Sequence, residues 1–479
     1  MLAGVASVTV NNPAGATPEP TTCAALTAAG NANTNRAYKN SSPSTPNQAI
    51  INQPVSCLDD APDGSTWATR WFNYGRKDLF ANPSDPALQH KRGEIIVSFR
   101  EYSSPIYDAA EATGTRRIFN SHNYWDDGYV TVPWNPAWKP SANTDAEMII
   151  VDKASGKEWG IWMQTIDPYY WFNGCNFQWG YDFHPEWGDL CVGSVKLSKQ
   201  YVPGSSAPPN SDVRHNSSSD GFSPKAQRGM GAINGVALVP TFDEVKFAVD
   251  ELKAGRRDNG YVHHALNMET YNTMFGNGLP PSGSTPQTNV SSGCSATDFA
   301  DPTKAGFTCG YAVAPATRLE HTVAPTGATG MPNTDAARAK TVPEGTRFYL
   351  TISDAEIETW LAGRGLTPSN QKYWTAYVFA RTLREYGWFI SDTTAWTSSI
   401  AVDSSRATSK VADWATLGID VLAAPTGSPS VESEYNLLEG LVTSSSQVGV
   451  VKVPDTGRCP TQTAFIGVPA ALNKCTNAY

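Results

Sequence analysis

The 479-residue sequence lacks any run of about 18 or more apolar residues, so we expect no segment to cross a membrane. It also has little charge, since only 17% of its residues are charged, below the roughly 25% of typical domains. The formal net charge is −9, because 45 acidic residues outnumber 36 basic ones. This balance argues against nucleic acid or an anionic membrane surface as the main partner.

Several short motifs that mark common sites are absent as well. The sequence has no Gly-x-Ser-x-Gly nucleophile elbow, no phosphate-binding P-loop, no His-Glu-x-x-His and no Cys-x-x-Cys. The aspartates are spread along the chain and form no recognisable calcium-binding loop. Calcium binding is therefore an alternative without support, and no other cofactor is expected. Residues 1–10 are apolar but have no basic start, so they do not form a convincing signal peptide.

The cysteines point to an oxidising compartment. Closing a loop of about 15 residues with a disulfide stabilises a fold by roughly 3 kcal/mol. We predict four disulfides and a secreted or extracellular protein, although eight cysteines allow many other pairings. Three Asn-x-Ser sequons, at Asn40, Asn216 and Asn289, would then be candidate glycosylation sites. The predicted pairs are the four that lie close together in sequence: Cys23–Cys57, Cys175–Cys191, Cys294–Cys309 and Cys459–Cys475.

Composition favours strands and turns over long helices. Aromatic residues are abundant, with 15 Trp, 19 Tyr and 17 Phe, and the chain has 39 Gly and 34 Pro. Many short strand-like segments between turns predict a mainly β protein, with a β-sandwich or jelly-roll-like body, two or three accessory helices and long disulfide-stapled loops. The expected organisation is an extended N-terminal segment over residues 1–65, a body over 66–423 with inserted loops near 203–222 and 274–342, and a C-terminal extension over 424–479 packed on the body.

Capping residues predict the positions of the helices. Thr241 and Ser353 are each followed three residues later by a glutamate, the signature of a capping box at a helix N-terminus. A third helix is expected to begin near Ser369 and to stop at Gly387, where glycine can adopt a left-handed conformation.

After the first of these helices come two adjacent histidines, among only seven in the chain. A strand is expected over residues 261–268, where side chains alternate between two faces. His264 then points with the apolar set and His263 with the more polar set, so the two cannot easily chelate one metal ion. We interpret His264 as either a hydrogen-bonded core residue or a general base.

Carboxylates supply the other candidate catalytic groups. A β-hairpin with a Gly-containing turn is expected over residues 145–163, and it would bring Asp145, Glu147 and Glu158 near one another. Glycosidases need one protonated and one ionised carboxyl group. Asp392 follows a strand and is a further candidate, since strand-end loops often carry sites. The alternative is that these carboxylates end strands or pair with neighbouring cations.

A series of segments between about residue 94 and about residue 420 carries a family resemblance. In order, they are Tyr102–Tyr107, Thr144–Asp152, Glu158–Trp159, Gly235–Pro240, Asp243–Val245, His264–Leu266, Pro343–Arg347 and Leu383–Asp392. With these segments the chain resembles a family of secreted, mostly bacterial proteins of unassigned function. The resemblance implies an extracellular β-rich protein and assigns no catalytic residue. Where the family has histidine in a Thr-Asp-x-His-Met segment, this chain has Glu147, so a site built on that histidine is altered or absent here.

Two classes of function fit these features. The first is a secreted enzyme that acts on extracellular polysaccharide, as a glycoside hydrolase through its carboxylates or as a polysaccharide lyase through His264 or a tyrosine. The second is a non-catalytic protein that binds a polysaccharide or cell-surface glycan, or that assembles into a structure through edge strands. Low charge and abundant aromatic residues suit both classes equally well.

Overall fold

The elements of the protein are taken from a computed structural model. It describes residues 23–32, 50–120, 129–142, 146–152, 154, 157–162, 190–192, 194–199, 238–275, 301, 303–304, 308–313, 316, 322–323, 326–327, 331–332, 334–423, 435–452 and 474–475. The helices are α1 (Cys23–Ala32), α2 (Gly64–Tyr74), α3 (Lys77–Ala81), α4 (Phe242–Lys253), α5 (Asp335–Arg338), α6 (Asp354–Gly363), α7 (Gln371–Glu385) and α8 (Thr408–Thr416). The strands are β1 (Ile96–Ser98), β2 (Ile106–Asp108), β3 (Gly114–Asn120), β4 (Tyr129–Trp134), β5 (Met148–Asp152), β6 (Lys157–Trp162), β7 (Leu190–Val192), β8 (Ser194–Lys199), β9 (Leu266–Thr270), β10 (Ala312–Val313), β11 (Thr322–Val323), β12 (Thr326–Gly327), β13 (Arg347–Leu350), β14 (Trp388–Thr393), β15 (Ser399–Ala401), β16 (Val448–Val450) and β17 (Lys474–Cys475).

The largest sheet has six strands in the order β1-β15-β9-β14-β13-β16. It is mixed, because β9 runs parallel to β14 and β1 runs parallel to β15, whereas the other neighbouring strands are antiparallel. A four-stranded sheet has the order β2-β5-β6-β8, and a three-stranded sheet has the order β4-β3-β7. The described chain is therefore largely β with helices, as the sequence predicted.

One face of the six-stranded sheet is apolar and packs against helices. Leu266 and Met268 of β9, with Trp388 and Ile390 of β14, lie in one core cluster with Trp71 of α2. Residues of α4, α6 and α7 belong to the same cluster. Because side chains alternate along a strand, the residues between these apolar positions project from the opposite face of the sheet.

Both terminal segments contribute to the packed body. Leu26 of α1 and Ile51 are buried in a second cluster, which joins the six-stranded and four-stranded sheets. These two apolar side chains of the expected N-terminal segment therefore reach the core. Within residues 424–479, β16 forms the edge strand of the six-stranded sheet and pairs with β13.

The disulfide predicted between Cys23 and Cys57 is confirmed, and it ties α1 to the turn that precedes α2. Cys309 is also disulfide-bonded. Each of the other predicted pairs includes a cysteine outside the described residues, so those pairings stay predictions. No cysteine in the described part of the chain is free.

Both predicted capping boxes are confirmed. Thr241 and Ser353 each accept a hydrogen bond from the backbone N–H of the glutamate three residues on, and that glutamate accepts one in return. The third predicted helix begins at Gln371, with Asn370 as its N-cap. The prediction of only two or three helices is wrong, since α2 and α8 are amphipathic helices rich in aromatic and β-branched residues, which also suit strands. Among the described helices, none is long and apolar enough to cross a membrane.

Candidate active site

Polar side chains lie beside the apolar Phe389 on the sheet face opposite the helices. Asn267 and Glu269 of β9 alternate with the two core residues of that strand, so they project from this polar face. Ser399 of β15 is the register partner of Glu269, and its hydroxyl oxygen lies 3.4 Å from Glu269 Oε2. Burying polar groups costs free energy, so a polar centre on a buried sheet face is a candidate functional site.

Asp392 of β14 is the register partner of Glu269 on the other side. Neighbouring strands lie about 4.8 Å apart, so the two carboxyl groups project side by side. The register shifts between Ile390 and Asp392, which leaves Ser391 as the extra residue of a β-bulge. Trp388 and Ile390 point into the helical core, and unbroken alternation would send Asp392 to that side too. The bulge instead turns Asp392 onto the polar face, beside Glu269.

The three polar side chains differ in burial. Asp392 is half-buried, Glu269 is 5% exposed and Asn267 is 1% exposed. In the described part of the protein neither Nδ2 nor Oδ1 of Asn267 has a hydrogen-bond partner. A buried amide without partners costs roughly 1–3 kcal/mol, and such groups in native proteins call for an explanation such as a functional role. Asn267 therefore belongs to the candidate site, two residues from Glu269 on the same face.

Asn267→Val is expected to stabilise the protein by about 1 kcal/mol, because it removes an unpartnered buried amide and β-branched side chains suit strands. The free energy of unfolding from urea titration measures this. The matched control is Asn272→Val. Asn272 is equally buried, but its amide donates to the carbonyl oxygens of Arg70 and Lys340 and its Oδ1 accepts from Thr270. That control is expected to destabilise the protein by about 2–3 kcal/mol. If both variants lose the same free energy of unfolding, the Asn267 amide stabilises the fold as the Asn272 amide does.

The hairpin carboxylates do not form a pair. Glu147 directly precedes β5, whereas Glu158 of β6 lies opposite Val151, so the two are four residues apart along the ladder, or about 14 Å. Glycosidase carboxyl pairs lie roughly 5–10 Å apart. Glu158 is fully buried, and the Glu147 carboxylate lies 3.5 Å from the Ser104 hydroxyl. Asp145 lies outside the described residues.

His264 is enclosed in the protein. It precedes β9, which begins only at Leu266, so the strand predicted over 261–268 is shorter than expected. Its Nδ1 lies 2.8 Å from the carbonyl oxygen of the next residue, and its Nε2 lies 3.5 Å from Oε1 of Glu244. His263 is buried as well, beside the rings of Tyr261 and Tyr386. With both ring nitrogens occupied, His264 is poorly placed to take a proton from a substrate.

Comparisons with known proteins leave the function to be argued from this geometry. No family model, no curated protein and no solved structure matches the chain. Among the described residues, no group of three or more His, Cys, Asp or Glu side chains is arranged to hold a metal ion.

The site also contains residues that the sequence reasoning missed. Asn267, Glu269 and Ser399 were not among the candidates, although the alternation of apolar and polar residues over 266–270 is visible in the sequence. That alternation indicates which residues share a face. It does not indicate that Asp392 lies on the neighbouring strand, so nothing local marks Glu269 as half of a pair.

Proposed function

We propose that this protein is a secreted glycoside hydrolase of extracellular polysaccharide, with Glu269 and Asp392 as its two catalytic carboxyl groups. The observation that carries the proposal is their register pairing on adjacent parallel strands, on a polar sheet face. Cleavage of a glycosidic bond needs one carboxyl group to protonate the leaving oxygen. A second carboxylate either attacks the anomeric carbon or activates a water molecule.

Burial supports a division of roles between the two groups. Glu269 is the more enclosed, and enclosure favours the neutral form of a carboxyl group because the charged form loses hydration. We assign Glu269 as the general acid and Asp392, the more exposed of the two, as the ionised nucleophile. The strand spacing of about 4.8 Å is close to the roughly 5–5.5 Å separation of retaining enzymes.

The chemical steps follow from these roles. The Asp392 carboxylate attacks the anomeric carbon while the bond to the leaving oxygen breaks and Glu269 transfers its proton to that oxygen. Glu269, now ionised, takes a proton from water, whose oxygen attacks the anomeric carbon and releases Asp392. The product keeps the anomeric configuration of the substrate.

Other features support an extracellular location, and a hydrolase over a lyase that uses His264. The Cys23–Cys57 disulfide is typical of an oxidising compartment, and the resemblance to secreted bacterial proteins agrees with it. A lyase needs an accessible base, and His264 is enclosed. We further propose that the six-stranded and four-stranded sheets stack as a sandwich through the cluster that contains Phe389 and Ile149.

The test is a screen of the purified protein against neutral and uronic-acid polysaccharides. New reducing ends are followed together with the ultraviolet absorbance of unsaturated products, and NMR of the first product gives its anomeric configuration. The expected result is new reducing ends with retained configuration and no rise in absorbance. A rise in absorbance would instead identify a lyase. A folded protein without activity on the whole panel would favour the non-catalytic class.

A further inference from the structure

Residues 51–60, which we name the strap, cross the six-stranded sheet. The carbonyl oxygen of Ile51 accepts a hydrogen bond from the backbone N–H of Ala265 at 2.8 Å, just before β9 begins. Further along the strap, the carbonyl oxygen of Asp59 accepts from the backbone N–H of Lys452, just after β16, at 2.7 Å. Because β14 and β13 lie between β9 and β16, the strap spans four of the six strands.

Side-chain contacts place the strap on the polar side of this sheet. Arg347 of β13 is the register partner of Phe389, and its guanidinium carbon lies 5.3 Å from the centroid of that ring, so both side chains project from this face. The Nη2 atom of Arg347 donates to the carbonyl oxygen of Gln53 at 2.5 Å. Ile51 packs in the cluster that contains Phe389 and Ala265, whereas the helical side of the sheet belongs to a different cluster.

The strap closes the part of the face that carries Asn267. Phe389 is the register partner of Asn267, and Ala265 precedes it by two residues on the same side of the chain. Ile51 of the strap packs with both of these neighbours. Asn267 is 1% exposed, yet its amide has no hydrogen-bond partner in the part of the chain that the structure describes. The strap therefore encloses this amide without satisfying it.

Few side chains hold the strap down. Three of its ten side chains are buried, namely Ile51, Asn52 and Pro54. No residue of its short turn Val55–Cys57 is buried. Segments with few buried apolar contacts open locally at a fraction of the free energy of global unfolding. Cys57 is bonded to Cys23 of α1, so an opened strap stays attached to the molecule and closes again.

A chain of sugars carries the polar groups that the strap does not supply. The Asn267 amide donates through Nδ2 and accepts through Oδ1. Two neighbouring sugar hydroxyl groups can accept from the first atom and donate to the second. A hydroxyl oxygen can also replace the carbonyl oxygen of Gln53 as an acceptor for Arg347. The strap and a polysaccharide chain therefore compete for the same stretch of the sheet.

We propose that the strap is an autoinhibitory cover, which a polysaccharide chain displaces to reach Asn267 beside the carboxyl pair; that the ligand is a polysaccharide rests on the proposed function. The closed strap excludes the ligand, so the apparent dissociation constant is the intrinsic one divided by the open fraction. Weakening the strap therefore tightens binding, whereas loss of an ordinary core residue does not.

Hydrogen exchange at two consecutive backbone amides tests the strap without any ligand. The Ala265 N–H donates to Ile51 of the strap, whereas the Leu266 N–H donates to the carbonyl oxygen of Gly387 at 3.0 Å. After correction for intrinsic rates, Ala265 is expected to exchange at least about 100-fold faster than Leu266 in the wild-type protein. Equal protection of the two amides would overturn the proposal, because the strap would then open only when the sheet does.

Ile51→Ala and Ile357→Ala separate opening of the strap from a general loss of stability. Both isoleucines are fully buried, but Ile357 belongs to α6 and packs on the helical side. Ile51→Ala is expected to speed exchange at Ala265 at least about tenfold, since it removes a buried contact of the closed strap. Ile357→Ala is expected to leave exchange at Ala265 unchanged, because α6 stays packed while the strap opens. Equal acceleration by both variants would contradict independent opening.

Turnover gives the functional readout with the same two variants. Xylan, galactomannan and polygalacturonate are the probes, and kcat/KM is measured on those from which reducing ends are released. Ile51→Ala is expected to raise kcat/KM about tenfold, since a larger fraction of the protein is open, and Ile357→Ala to leave it unchanged. A cleaved probe whose kcat/KM does not rise in Ile51→Ala would overturn autoinhibition.

The exchange experiment and the hydrolysis assay fail independently. If the Ala265 amide exchanges as expected but neither the wild-type protein nor Ile51→Ala releases reducing ends, the carboxyl pair is rejected and the opening strap stands. If reducing ends appear but Ala265 and Leu266 are equally protected, the strap is rejected and the hydrolase stands.

Discussion

Glu269→Gln is expected to lower kcat for polysaccharide hydrolysis by about 10²–10⁴-fold, because the amide cannot give its proton to the leaving oxygen. Asp392→Asn is expected to lower kcat by more than Glu269→Gln does, since an amide is a far weaker nucleophile than a carboxylate. Initial rates of reducing-end release measure both effects. Each change conserves side-chain shape, so thermal unfolding should show both variants to be folded.

The control for this prediction is Glu158→Gln, which alters an equally buried carboxyl group in the hairpin. It is expected to leave kcat unchanged, because the proposed chemistry uses only Glu269 and Asp392. Loss of turnover in Glu158→Gln with normal turnover in Glu269→Gln would place the chemistry in the hairpin. Azide offers a second check, since it should restore cleavage to Asp392→Gly and form a glycosyl azide of inverted configuration if Asp392 is the nucleophile.

Gly387→Ala is expected to destabilise the protein by more than about 3 kcal/mol and to remove activity with it. Gly387 links α7 to β14, the strand that carries Asp392, and it has a φ of +69°. An alanine there would be strained by roughly 1–2 kcal/mol for its left-handed backbone. Its Cβ would also lie 2.0 Å from the carbonyl oxygen of Phe348 in β13, so the backbone of the sheet would have to move. Urea unfolding measures the loss.

Gly365→Ala separates the two contributions. Gly365 has a φ of +72°, yet a Cβ there meets nothing within 4 Å. Gly365→Ala is therefore expected to lower the free energy of unfolding by only about 1–2 kcal/mol, which is the conformational strain alone. If both alanine variants lose the same stability, the contact with Phe348 relaxes easily and the sheet tolerates the change.

The features that were predicted correctly from the sequence are local ones. Thr241 and Ser353 cap their helices because each hydrogen-bonds a glutamate only three residues away. The hairpin of β5 and β6 joins neighbours through a short turn. Cys23 pairs with Cys57 across a sequence separation of 34. In each case the interacting groups are close along the chain, so their spacing carries the information.

The candidate site depends instead on contacts between distant segments. Alternation over residues 266–270 determines that Asn267 and Glu269 share a face, and this could be predicted from the sequence by itself. That Asp392 joins them was decided by the tertiary structure, through the parallel pairing of β9 with β14 and the bulge at Ser391. Strand neighbours and register are set by the packing of the whole sheet against its helices, and a single extra residue reverses which way the following side chain points.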